Sequence, residues 1–198
     1  IPREEMDALG VRSHALAAKA VADGYFQGEI LPIDAPQDDG TSLTVDTDQC
    51  IRPGTDMESM AGLKPAFSED GTITAGNASP LNAGAAAMVL MSRDAAEARG
   101  VTPLAAVRSI GFAGVDPTLM GKAPVPAARR ALDAMGLTPK DIDFWEINEA
   151  FAVVVINMIR ELGLDPERVN VRGGALSIGH AMGATGVRLA GTLARILN

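Results

Sequence analysis

From Thr72 onward, apolar extended runs alternate with helical patterns, and this alternation constrains the chain more than any other feature of its sequence. Strands buried on both faces need helices over them, so apolar extended runs alternating with helical patterns of ~10–15 residues across short connections predict a parallel sheet covered by helices, an α/β class. The spacing predicts strands over residues 86–91, 104–112, 143–147 and 169–171. It predicts helices over 94–99, 126–135 and 149–162, and a terminal helix from Gly183 onward. Before Thr72, Pro2 as a first-turn residue, acids at Glu4, Glu5 and Asp7, and a stop at Gly24 predict a helix over residues 3–23. Its apolar stripe would be Met6, Leu9 and Leu16. A short strand over 28–33, a surface loop over 34–40 and a short helix carrying Met57, Met60 and Leu63 complete the pass.

Composition removes several classes of function. With 47% apolar residues the chain has enough hydrophobic content for a folded core. Its net charge of −8 repels phosphate backbones and anionic headgroups, so no nucleic acid and no membrane is expected as a partner. The longest apolar runs, 83–91 and 151–159, fall well short of the ~20 residues that span a bilayer. A single cysteine, Cys50, cannot close an intramolecular disulfide, and the two histidines, His14 and His180, lie too far apart for a zinc-ligand pattern. The expectation is a soluble cytoplasmic or matrix-like protein with no metal. The chain starts at Ile1, and helical spacing runs on to Asn198 without a capping residue, so it reads as a piece cut from a longer protein.

Two segments place polar residues where a strand ends and a helix begins, which is where open α/β sheets bind ligands. The first is Asn148-Glu149-Ala150-Phe151. Asn148 there can cap a helix and Glu149 can complement its dipole, so a purely structural role competes with a chemical one. The second runs from Gly173 to Gly186 and contains five glycines, enough to let main chain pass close to a ligand. Gly179, Gly183 and Gly186 do not follow the dinucleotide fingerprint and no Walker lysine follows, so a nucleotide loop is disfavoured. His180 sits inside this segment, and an imidazole beside a helix start can donate a hydrogen bond to a developing oxyanion.

These residues resemble the thiolases, the acyl-CoA acetyltransferases, along essentially the whole chain. Asn148 to Phe151 is similar to the family's NEAF signature, and Gly173 to Gly186 to its glycine-rich histidine segment. Thr74-Ala75-Gly76-Asn77-Ala78-Ser79 resembles the TAGNAS segment that lies beside bound coenzyme A, and Ile1 to Glu5 with Arg12 to His14 resembles the ISREE…RSH helix. The resemblance implies a thiolase fold, a mixed sheet layered between helices, truncated at both ends. Residues 1–81 would be the later part of the loop domain, 82–103 the closing segment of the N-terminal domain, and 104–198 an incomplete C-terminal domain.

The implied activity is thiolytic cleavage of a 3-oxoacyl-CoA, or the reverse condensation with acetyl-CoA, in lipid metabolism. Coenzyme A and acyl-CoA would be substrates, with no separate cofactor, and the full-length enzyme would be a homodimer or homotetramer. By resemblance His180 activates the acylated cysteine, and Asn148 holds a water that completes an oxyanion hole. Arg52 and Ser59 align near the nucleotide end of coenzyme A, and Ala75, Ser79, Ala150 and Phe151 along its pantetheine channel. The departures matter as well. Neither family cysteine is present, Cys50 matches no family nucleophile and reads as a small half-buried filler, and Ala181 replaces the usual proline after the histidine. The chain alone is therefore expected to be inactive. A ketoacyl-synthase-like condensing enzyme and a non-catalytic acyl-CoA-binding or dimer-forming subunit are the alternatives.

Overall fold

The computed structural model describes residues 1–198. In chain order it contains α1 (Arg3–Ala22), β1 (Ile33–Pro36), β2 (Ser42–Val45), α2 (Met57–Ala61), α3 (Arg93–Ala98), α4 (Pro124–Asp133), α5 (Ala152–Leu162), α6 (Ala175–Ile178) and α7 (Met182–Ile196). Helices and strands both occur, and the one ladder, β1 with β2, lies ahead of the alternating region. The chain divides into two compact units. The first holds residues 1–82, 149–152 and 170–180, and the second holds 83–148, 153–169 and 181–198.

In the first unit α1 packs against α2 and α6. Its bounds agree with the sequence expectation, but its buried face does not. Met6 is buried, whereas Leu9 and Leu16 are only half-buried, and the rest of the inner face is Asp7, Gly10, Ser13, His14, Ala17 and Ala20. Small and polar side chains win there because neighbouring main chain comes too close for leucine. A Cβ on Gly10 would meet the Met60 methyl at 2.8 Å, and one on Gly173 would meet Ser13 O and the Ala17 Cβ at 2.7 Å. The positive φ of Gly173, 81°, independently favours glycine.

The segment after α1 departs from expectation. Residues 25–28 form a 3-10 turn after Gly24, with Phe26 buried, instead of opening a strand. The strand lies later, inside the predicted loop, where β1 pairs antiparallel with β2 in the register Ile33 to Val45 and Pro36 to Ser42. A turn closed by Gln37 N–H donating to Thr41 O at 2.8 Å sets that register, and Thr44 Oγ1 donates to Asp34 Oδ1 at 2.6 Å across the pair. The acids that suggested a loop are compatible with a hairpin because both its strands are mostly exposed.

In the second unit α4 lies close to its predicted bounds, whereas α5 starts at Ala152 and not at Glu149, because residues 149–151 lie outside any helix and Phe151 bridges Ala78, so Asn148 does not cap the helix. α5 buries Val154, Val155, Ile156 and Met158, and α7 buries Ala184, Thr185, Thr192 and Ala194. Trp145 and Val169 form one parallel bridge, with Trp145 N–H donating to Arg168 O at 2.9 Å. Glu146, beside it, pairs with Arg188 of α7 at 3.0 Å. Residues 86–91 and 104–112 correct the expectation of buried strands. Neither forms a ladder, and Val89 is 81% and Phe112 78% exposed. The second run does lie along α4, where the Arg130 guanidinium donates to Phe112 O and a Cβ on Gly111 would meet Ala131 N at 2.9 Å. An apolar run of this kind is stable as a buried strand only when hydrogen-bonded neighbours flank it, and no segment of this chain supplies them. No helix is long and apolar enough to cross a membrane.

Candidate functional site

The site is easiest to understand from the polar groups that the first unit buries. Glu149 is 1% exposed, and its carboxylate accepts from Ser13 Oγ at 2.7 Å, Asn170 Nδ2 at 2.9 Å and Leu176 N at 3.0 Å. Ser13 Oγ also lies 3.0 Å from Ser177 Oγ and accepts from Gly174 N at 3.1 Å. Asn170, at φ 48°, is the one non-glycine residue in the left-handed region, which asparagine tolerates better than most side chains. This network ties α1, the 149–152 segment and the glycine-rich turn into α6. Gly174 has no room for a side chain, since a Cβ would approach Glu149 Oε1 at 2.6 Å.

A second buried group orders the 74–79 turn. Asp7 accepts from Arg3 Nε at 3.1 Å and from Asn77 Nδ2 at 2.8 Å, while Asn77 Oδ1 accepts from Thr74 N at 2.9 Å. Arg3 also donates to Met60 O and Leu63 O, each at 2.7 Å, and so joins α1 to α2. The turn then meets the 149–152 segment main chain to main chain. Ser79 N donates to Ala150 O at 3.0 Å, Ala152 N donates to Asn77 O at 2.9 Å, and Ala78 and Phe151 form an antiparallel bridge. The Phe151 ring meets Phe67 edge-on with centroids 5.9 Å apart.

Ser79, Ala150 and Phe151 are thus brought together, with Ala75 exposed at the tip of the same turn. Arg52 and Ser59 flank the entry to α2, both exposed. The Ser59 hydroxyl donates to Asp56 O at 2.8 Å and accepts from Asp56 N at 3.2 Å, closing a capping box. Its proton is taken up there, so Ser59 meets another group as an acceptor unless the cap opens. The Ser59 backbone N–H and hydroxyl hold the Asp56 carboxyl below the usual carboxylate range. Arg52 N donates to His14 Nδ1 at 3.2 Å. Burial, and secondly the Arg52 charge, push His14 below the ordinary imidazole value.

His180 lies in the first unit, half-buried, just past the end of α6, and its N–H donates to Asn82 Oδ1 at 2.8 Å. Asn148 belongs to the second unit, half-buried between Ile147 and Glu149. Cys50 is a half-buried free thiol in the link between β2 and α2. Asp7, Ser13, Asn77 and Asn82 escaped sequence reasoning as site-building residues. Asp7 was legible only as a first-turn acid, and although Asn77 lies in the 74–79 signature segment, no local pattern pairs it with Asp7, 70 positions away. Asn82, alone in a run of small residues, has the composition of a turn.

Known proteins share the sequence and fold of this chain. Residues 1–94 match the family model described as thiolase, N-terminal domain, and residues 101–198 match thiolase, C-terminal domain. A 3-ketoacyl-CoA thiolase of Marinobacter nauticus is 47% identical over 201 residues, covering 100% of this chain and 51% of that protein. One from Hahella chejuensis is 46% identical with the same coverage. Among solved structures, the Bacillus anthracis acetyl-CoA acetyltransferase superposes with a TM-score of 0.95 at 44% identity, covering 100% of this chain and 50% of that one. Human mitochondrial 3-ketoacyl-CoA thiolase gives 0.88 at 38% identity, with the same coverage. The chain spans about half the length of the curated relatives it matches.

Proposed function

Since the chain belongs to the thiolase family, we propose that the polypeptide carrying it exchanges an acyl group between a 3-oxoacyl-CoA and free coenzyme A through a cysteine thioester. The observation that carries this reading is the closure of the 74–79 turn on the 149–152 segment, in the same unit as His180. A narrow wall of small residues and main chain suits a pantetheine arm, whose amides need hydrogen-bonding edges and whose methylenes need apolar ones.

His180 takes the proton of the attacking thiol. The thiolate then adds to the 3-oxo carbon of the substrate, the bond between carbons 2 and 3 breaks, and carbon 2 leaves as the enolate of acetyl-CoA, which a second thiol protonates. Free coenzyme A displaces the acyl group from the thioester. Asn148 anchors a water that, with His180, donates to the oxygen on which charge develops; such preorganised donors are worth ~2.7–4 kcal/mol each. The acylated and proton-carrying thiols are assigned to cysteines outside residues 1–198, because Cys50 lies in the link before α2 and matches no family nucleophile. Arg52 serves the phosphate end of coenzyme A. Ser59 supports it by shaping the entry to α2. Residues 1–81 are read as the later part of the loop domain, 82–103 as the closing segment of the N-terminal domain and 104–198 as an incomplete C-terminal domain. A homodimer or homotetramer in the cytoplasm completes the proposal.

The test is thiolysis of acetoacetyl-CoA by a thiolase-length polypeptide containing these residues. His180→Asn should slow acylation by about 10²- to 10⁴-fold, the usual worth of a positioned base, and Asn148→Ala should lower turnover by an order of magnitude or more. Residues 1–198 alone should give no turnover. Rates within about threefold of the parent for His180→Asn would overturn the base assignment, as would thiolysis by the isolated chain for the assignment of the nucleophile.

A further inference from the structure

The two residues between the end of α6 and Ala181 are Gly179 and His180, and little main chain is available to hold them. Gly179 N donates back to Ala175 O at 3.1 Å, which ends α6. Gly179 itself sits at φ 99° and ψ 165°, a conformation open to glycine and strained for other residues. Directly over it lies the side-chain amide of Asn82. A Cβ on Gly179 would come within 2.6 Å of Asn82 Cγ and 2.8 Å of Asn82 Oδ1. The same Oδ1 accepts the His180 N–H at 2.8 Å, although the two residues are 98 positions apart in sequence.

From this geometry we infer that Asn82 is a positioning residue for His180: its amide oxygen fixes the peptide plane that aims the imidazole. The inference rests on the thiolase reading of His180 and deepens it. The peptide between Gly179 and His180 belongs to no helix or strand, so regular secondary structure does not set its orientation. A hydrogen bond from a distant side chain supplies that constraint, and Gly179 provides the close approach it requires. Asn82 acts through His180, and the effect belongs to the chemical step, since misplacing a catalytic group by about 1 Å can cost about 10²-fold in rate. Ground-state binding of coenzyme A should be little affected.

The experiment compares Asn82→Ala, Asn82→Asp and His180→Asn in a thiolase-length polypeptide. Asn82→Ala should lower kcat about 10- to 100-fold while KM for coenzyme A stays within about twofold. Asn82→Asp keeps an acceptor oxygen in place and should restore kcat to within about fivefold of the parent, each variant being measured at its own pH optimum because the added charge bears on the imidazole. Hydrogen exchange at the His180 amide gives a readout independent of catalysis. It should be about tenfold faster or more in Asn82→Ala than in the parent or in Asn82→Asp. Should Asn82→Ala fail to fold, Asn82→Gln, whose longer side chain carries the oxygen past the His180 N–H, makes the same comparison. Unchanged exchange in Asn82→Ala overturns the inference. Faster exchange with unchanged kcat overturns it as well, provided that His180→Asn is disabling. If His180→Asn is harmless, the thiolase reading of that histidine falls and the inference falls with it, while the exchange result still records the contact itself.

Discussion

Replacing Glu149 by alanine should destabilise the first unit by about 2–6 kcal/mol, and the figure follows from what its carboxylate holds. Three donors meet it: Ser13 Oγ, Asn170 Nδ2 and Leu176 N. A buried donor left without an acceptor costs roughly 1–3 kcal/mol. Ser13 escapes that penalty, because its hydroxyl can turn to Ser177 Oγ, 3.0 Å away. Asn170 Nδ2 and Leu176 N each lose the acceptor that Glu149 provides, and two donors at that cost give the range. Glu149→Gln should cost less, about 1–3 kcal/mol, because it keeps the shape but exchanges a charge-assisted acceptor for a neutral one and turns an amide group toward a donor. Urea unfolding followed by far-UV circular dichroism measures both, with an unchanged m-value as the check that the unfolded reference has not moved. Against a typical domain stability of about 5–15 kcal/mol, the alanine variant should show a large shift of midpoint. A cost below about 1 kcal/mol for Glu149→Ala would refute the reasoning, since it would mean that water satisfies donors placed here in a dry interior.

His14 predicts a pH dependence of opposite sense to that of a paired histidine. Its folded-state pKa lies below the ordinary 6.5, so as pH falls below that value the unfolded chain takes up the proton first and stability declines until pH has passed the folded value. Melting curves between pH 8 and pH 5, ranges set by the ordinary imidazole value of about 6.5, should show this slope in the parent and lose it in His14→Gln; parallel curves would refute it. Gly173→Ala should cost roughly 2–5 kcal/mol in the same urea assay, from backbone strain at φ 81° added to collision with Ser13 O and Ala17, and a cost under about 1 kcal/mol would show that α1 can yield.

The helices were legible because their signals are local. Pro2 and the acids that follow set the start of α1, and Ser92, whose hydroxyl accepts from Ala95 N at 3.2 Å, sets that of α3. The hairpin was not, since its register depends on a turn at residues 37–41 whose chemistry looked like any acidic loop. The inner face of α1 was misread for a different reason: hydrophobic periodicity assumes that burial selects large apolar side chains, and here close main-chain approach selects Gly10, Ser13 and Ala17. Residues 86–91 and 104–112 have the composition of buried strands, and composition does not say which part of a polypeptide supplies the flanking strands. Among the candidate residues, His180 and Asn148 were visible as polar residues in segments read as strand-to-helix junctions. Glu149 looked like a dipole partner, and its contact with Ser13 spans 136 positions that no local pattern can join.

The polar residues of the signature segments divide into two groups, and the division bears on how such motifs carry function. Asp7, Ser13, Asn77, Glu149 and Ser177 are all buried, and hydrogen bonds among them run between the segments: Asp7 to Asn77, Ser13 to Glu149 and to Ser177. Each of these is a polar group whose desolvation is offset only if its partner is in place, so the set tolerates one arrangement of the four segments and penalises others. His180 is half-buried and follows directly on α6, which this interior holds, while Asn148, also half-buried, belongs to the second unit. Most of the motif letters therefore specify a scaffold, and under the proposed function the chemistry rests on few of them. A chain could keep the buried set and lose His180 without losing its fold, or keep His180 and lose Glu149 and with it the geometry that makes an imidazole useful. Measuring Glu149 variants by stability and Asn82 variants by kcat separates those two kinds of dependence within one unit.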